Sequence, residues 1–200
     1  PFSGSLLITR FFFGLPFAIF QTIFSLYALK KFNLDGQQTG LILAYVGVLS
    51  VIVQGFLIGQ LTRRFREDTL IAVSVVVMAF SLLGWALSPS VVWLIIILAP
   101  TAVSGGILNT ILASTLTKAV EPQEIGGILG LSASVESLTR AIAPTLGGAL
   151  LGWAGTSAPG FFSAAMLAVL SVYVWRVIYG HPIAAEIRAK SAPAPTGISH

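Results

Sequence analysis

Glu136 and Arg140 stand four residues apart in an otherwise apolar stretch. That spacing puts an acid and a base one helical turn apart on one face, with the acid on the favoured N-terminal side. Counted at about 1.5 Å per residue from Pro122, a natural first helical residue, both reach the centre of a bilayer. A charge at that depth costs roughly 2.5–3.5 kcal/mol on insertion scales, so both must face protein or a water-filled cavity. Glu136 could load and release a proton there, or the two could form a structural ion pair. Arg10, one turn inside the first apolar run, can snorkel to the membrane surface or contact a helix or a substrate. The amides Gln21, Gln54 and Asn109 can orient a polar solute or bridge helices, the latter at about 0.6 kcal/mol per contact.

Other chemistry is poorly provided for. The chain has no cysteine, so thiolate catalysis, disulfides and Cys-held metals are out. His181 and His200 have no metal-ligand neighbours, and Asp35 and Asp68 fall between the apolar runs. Ser132 lies in an apolar stretch without a histidine to activate it, and the Asn-Pro-Ala loops of a water channel are absent. Neither enzyme activity nor a cofactor or metal is expected.

The elements that carry these residues are set by composition. With 56% hydrophobic residues, 9% charged residues and a mean hydropathy of +0.92, the chain lacks the roughly 25% charge of a soluble domain. Six apolar runs, about 6–29, 39–61, 69–87, 91–116, 125–151 and 161–179, are each long enough to cross a bilayer core of roughly 30 Å. They are continuous, not alternating, so helices are expected and a barrel is not. The net charge of +4 comes from basic residues between the runs, where they set topology, and no nucleic-acid partner is expected. Arg63, Arg64, Arg66, Lys118, Arg176, Arg188 and Lys190 fall on one side, against Lys30 and Lys31 on the other. Both termini are therefore expected in the cytoplasm, with the Ala-Pro-rich residues 180–200 as a disordered tail.

Runs one to three correspond to runs four to six at an offset of about 85 residues. In each set the first run is interrupted, by Gly14-Leu15-Pro16 and by Pro100 with Gly105-Gly106, and the second is rich in glycine. Three spans reverse direction, so a three-helix repeat must be inverted, as in secondary transporters, where broken helices line a midplane site. The expected fold is all-α: six transmembrane helices as two inverted repeats.

Two motifs bring a family into view. Gly59-Gln60-Leu61-Thr62-Arg63-Arg64-Phe65-Arg66 resembles the cytoplasmic loop motif G-x-L-a-D-r-x-G-r of the major facilitator superfamily, matching at Gly59, Leu61 and Arg64. Arg63 replaces its aspartate and Arg66 its later glycine. Gly130 followed by Pro144, Gly147 and Gly148 is similar to the antiporter pattern g-x8-G-x3-G-P-x2-G-G, with Thr139 and Ala143 in place of two glycines. The chain thus resembles one six-helix half of such a transporter over about residues 6–179, nearest the drug:proton and tetracycline-type antiporters. The degenerate loop motif and the tail favour the C-terminal half, whose upstream half would then be missing; the start at Pro1-Phe2-Ser3, without methionine, is expected to reflect processing or truncation. The N-terminal half, a homodimeric six-helix transporter and a membrane scaffold are the alternatives.

The resemblance implies proton-coupled efflux of a small organic solute across a cell inner or plasma membrane. Gln21, Phe24 and Asn109 would line the substrate cavity, with further apolar contacts from Phe11, Phe12 and Phe13. Glu136 and Arg140 would serve coupling, and Gly130, Pro144, Gly147 and Gly148 would serve helix packing.

Overall fold

Inside a bilayer every backbone N–H and C=O needs an internal partner, and continuous apolar runs meet that demand by coiling. A computed structural model describes residues 2–178; the tail expected at 180–200 lies outside the described residues. Six long helices follow one another: α1 (Phe2–Phe32), α2 (Gly36–Arg64), α3 (Glu67–Ala86), α4 (Val91–Lys118), α5 (Ile125–Trp153) and α6 (Ala158–Tyr173). No strand occurs among the described residues. The fold is all-α.

Local chemistry sets the turns between helices. Asn33 takes a positive φ of 55° to end α1, a conformation that asparagine tolerates. Asp35 and Gln38 then form a reciprocal capping box at the start of α2, where the Asp35 carboxylate accepts from the Gln38 N–H at 2.7 Å. Ser90 accepts from the Trp93 N–H at the start of α4, and Pro122 opens a 3-10 turn that leads into α5.

Five of the six helices are long and apolar enough to cross a membrane, and α5 is the exception. At 29 residues it has the length, but Glu136, Arg140 and a series of serines and threonines lower its hydropathy. One expectation is corrected at the Gly-Pro sites. Helix α1 runs unbroken through Gly14 and Pro16, and α4 through Pro100, Gly105 and Gly106. A proline removes a single helical donor, and a packed membrane helix can absorb that loss. The irregularity falls in α2 instead, as a π-helical turn at Val53–Leu57 around Gly55.

Helix α1 packs on α5 and α6, α4 packs on α2 and α3, and α3 packs on α6. Exchanging the first three helices with the last three leaves this pairing unchanged, which is the arrangement expected of a duplicated three-helix unit. At one end Tyr27 donates to the Trp85 carbonyl at 2.8 Å and Lys31 to the Ala86 carbonyl at 3.2 Å, so the ends of α1 and α3 lie together. At the other end Glu67 accepts from Thr115 at 3.1 Å and pairs with Lys118, joining the start of α3 to the end of α4.

Lipid tails are as apolar as leucine, so close packing, not apolar burial, holds such helices together. Phe20, Tyr27 and Trp85 interlock edge-on and tilted between α1 and α3, with ring centroids 4.9–5.2 Å apart about Trp85. Small residues bring other backbones together: a Cβ on Gly160 would lie 2.9 Å from the Ala86 Cα.

Candidate functional site: a charged cavity between α1, α4 and α5

Glu136 lies eleven residues into α5, about 16 Å along its axis. Its carboxylate accepts from two guanidiniums, Arg140 Nη2 at 2.6 Å on Oε1 and Arg10 Nη2 at 3.1 Å on Oε2. The first contact is the one-turn pair visible in the sequence. The second joins α5 to α1 across 126 residues of chain. Arg10 is therefore a helix-to-helix contact and not a surface anchor. The three groups differ in access, with the side chain of Arg10 13% exposed, that of Glu136 40% and that of Arg140 70%.

A cavity of about 90 Å³ opens beside this cluster. Arg10, Glu136, Thr139 and Arg140 line it with Gln21 and Asn109, over a floor that includes Phe13, Gly14 and Phe17. Drug-sized ligands occupy clefts of roughly 300–1,000 Å³, so these residues form one wall of a binding site rather than an enclosure. Close approach of α1 to its neighbours shapes that wall. A Cβ on Gly14 would touch the Thr139 side chain at 3.5 Å, and one on Gly105 would lie 2.9 Å from the Phe17 ring.

Six of the residues singled out in the sequence thus converge: Arg10, Phe13, Gln21, Asn109, Glu136 and Arg140. Phe24 does not. It is fully buried, with its ring edge against Phe20 at 5.5 Å, and it is Phe17, with the buried Phe13 behind it, that borders the cavity. Phe13, Phe17, Phe20 and Phe24 share a helical stripe, whose N-terminal part meets the cavity while its C-terminal part belongs to the core. Phe11 and Phe12 are partly buried against the core, and Gln54 is exposed on α2. Arg10 and Thr139 are site residues whose importance spacing could not show, because their partners come from other helices.

The loop-motif residues gather at the end of α2. Gly59 and Arg64 are exposed and Leu61 is half-buried against the core. The acids lacking in the motif stand just beyond it, where Asp68 pairs with Arg66 at 3.1 Å and Glu67 with Lys118. On α5, Gly147 is pressed against Ile19 and Ile23 of α1, whereas Gly130 and Gly148 face open space and Pro144 is exposed.

An all-helical membrane bundle of paired three-helix units, with a charged cavity at mid-depth, has the construction of a secondary transporter. The sequence matches the Major Facilitator Superfamily over residues 6–199, and the chain belongs to that family. It is 41% identical over 137 residues to Solute carrier family 22 member 18 of Mus musculus, covering 68% of this chain and 34% of that protein. It is 30% identical over 142 residues to the class H Tetracycline resistance protein of Pasteurella multocida, covering 70% and 35%. In structure it resembles the human organic anion transporter MFSD10 (TETRAN), with a TM-score of 0.78 at 17% identity over 85% of this chain and 40% of that one. The chain spans about a third of the length of the curated relatives it matches.

Proposed function

We propose that this chain is the C-terminal six-helix half of a secondary active permease that moves a small organic solute, with proton-coupled efflux as its direction. The observation that carries this reading is the cavity wall in which Arg10, Glu136 and Arg140 meet two amides at mid-depth. Its small volume supports a site completed by a second, N-terminal half. The tetracycline resistance relative supports efflux of an organic compound, and the solute carrier relative supports solute transport. The surplus of basic residues at the ends shared by Arg64, Arg66 and Lys118 supports placing that side in the cytoplasm, with the C-terminal tail.

Glu136 is the only carboxylate along α1, α2, α4, α5 and α6 away from their ends, so proton loading in this half falls to it. Protonation releases the two arginines, which changes what the cavity holds. Alternating access then follows from rocking of this half against its partner about the shared cavity. The experiment is transport by the intact protein in proteoliposomes, comparing wild type with Glu136→Gln. The expected result is loss of accumulation driven by a pH gradient, with solute exchange retained. Full proton-driven accumulation by the variant would move the coupling site to the other half.

A further inference from the structure

The three charges at the cavity do not cancel. Two guanidiniums share one carboxylate, which leaves the cluster with a net charge of +1 when Glu136 is ionised. Arg10 is the more buried of the two arginines, and its Nε and Nη1 are buried without a hydrogen-bond partner. A buried donor left unpaired costs roughly 1–3 kcal/mol, and more when it is charged, so an acceptor placed beside Arg10 would be held firmly. Arg140 is largely exposed and has donors to spare.

Among the described residues no other charged side chain lines the cavity to offset the surplus. Helix α4 contributes the amide Asn109 and has no charged residue before Lys118 at its end. Helix α6 has none, α1 has none between Arg10 and Lys30, α2 has none before Arg63, and α5 has only Glu136 and Arg140. Beside the arginines the half-buried Phe17 ring lines the cavity and stacks on the buried Phe13 with centroids 5.6 Å apart, an apolar surface next to the cationic groups.

Resting on the transport reading above, we propose that the solute is an organic anion. Its carboxylate or sulfonate group is taken by Arg10 and Arg140, and its apolar body lies against Phe17, whose ring is backed by the buried Phe13. A guanidinium fork matches two oxygens of such a group, and the amides of Gln21 and Asn109 can donate to the same head group. A cation would meet net repulsion here. The ionised Glu136 competes with the anion for the same donors, so protonating Glu136 raises the cluster to +2 and frees both arginines. Proton and anion therefore promote each other's binding, and by linkage the effect is mutual.

The test uses the intact protein, purified in detergent, with three small probes: benzenesulfonate, the neutral benzenesulfonamide and benzylammonium. The sulfonate stays ionised throughout, so any pH dependence of its binding belongs to the protein. Benzenesulfonate is expected to give a saturable rise in melting temperature, stronger than either other probe and stronger at acidic than at neutral pH. Arg10→Gln is expected to weaken it roughly ten- to hundredfold, while Glu136 keeps Arg140 and the fold survives. Arg10→Lys should recover part of the loss, since it restores the charge without the fork. Glu136→Gln should tighten sulfonate binding and flatten its pH dependence, the opposite of what mere loss of structure would do.

Preference for benzylammonium, equal shifts from all three probes, or no shift from any would overturn the anion site and leave solute transport standing. Sulfonate binding without movement of the sulfonate across proteoliposomes would keep the anion site and overturn transport.

Discussion

Glu136 holds two guanidiniums that would lose different amounts if it were neutralised. Arg140 is mostly in contact with solvent space and would keep that solvation, whereas Arg10 is enclosed between α1 and α5. An unpaired buried charge is the costly species, and the pair's own Coulomb energy is discounted by the 40% exposure of Glu136. Glu136→Gln is therefore expected to cost about 1–3 kcal/mol of stability. Neutralising Arg10 in the same protein should restore most of that loss, and neutralising Arg140 should restore little. Thermal melting of the three variants checks this, and equal rescue by either arginine would contradict it. The i, i+4 spacing made Arg140 legible as a partner, because a helix alone brings those two residues together. The Arg10 contact was not legible, since it exists only once α1 and α5 have packed. Phe24 shows the converse: its type suits a cavity, but its position along the stripe places it beyond the cavity's end, against Phe20.

At the scale of the element, α5 is fixed to α1 by contact of small against branched residues. A Cβ on Gly147 would lie 2.5 Å from the Ile23 Cγ1 and 3.1 Å from the Ile19 Cγ2, while one on the adjacent Gly148 would meet nothing within 4 Å. Gly147→Ala should thus force α5 away from α1 at a cost of about 1–3 kcal/mol, typical of overpacking. Gly148→Ala adds a better helix former in open space, and should be neutral or stabilising by up to about 1 kcal/mol in this bundle. The measurement is the melting temperature of each variant, and a larger loss from Gly148→Ala would refute the packing. The helices themselves were plain in the sequence because long apolar runs leave the backbone no alternative in lipid. Their irregularities were not. Pro16 and Pro100 were expected to interrupt α1 and α4, but each removes one donor that the surrounding helix tolerates. The π turn in α2 gave no local signal beyond Gly55. The lower hydropathy of α5 is the price of lining the cavity with Glu136, Thr139 and Arg140.

For the whole molecule, the unfilled faces are as informative as the filled ones. Helix α2 exposes Leu41, Val48, Val51 and Phe56, and its Gly55 and Gly59 have nothing near them; Gly126 and Gly130 of α5 are equally open. Small residues at such spacing suit close approach of another helix. In the proposed permease that helix belongs to the N-terminal half. Gly130→Leu should leave the fold of this half intact, since no neighbour occupies the space, yet weaken co-purification of separately expressed halves by steric exclusion. Unchanged co-purification would count against α5 as an interface.

Passage of the solute through the cavity between α1, α4 and α5 is tested most directly by cysteine labelling, because this chain contributes no cysteine of its own. Asn109→Cys places a thiol in the cavity lining that Asn109 shares with Glu136 and Arg10. In the intact protein, freed of any cysteine elsewhere and reconstituted in proteoliposomes, a membrane-impermeant thiol reagent is applied from each side in turn. The cavity path predicts modification at Asn109→Cys from both sides, a balance between sides that shifts when a pH gradient is imposed, and protection by the transported solute. A thiol that stays unmodified from both sides while transport proceeds, or one whose labelling ignores both gradient and solute, would contradict it.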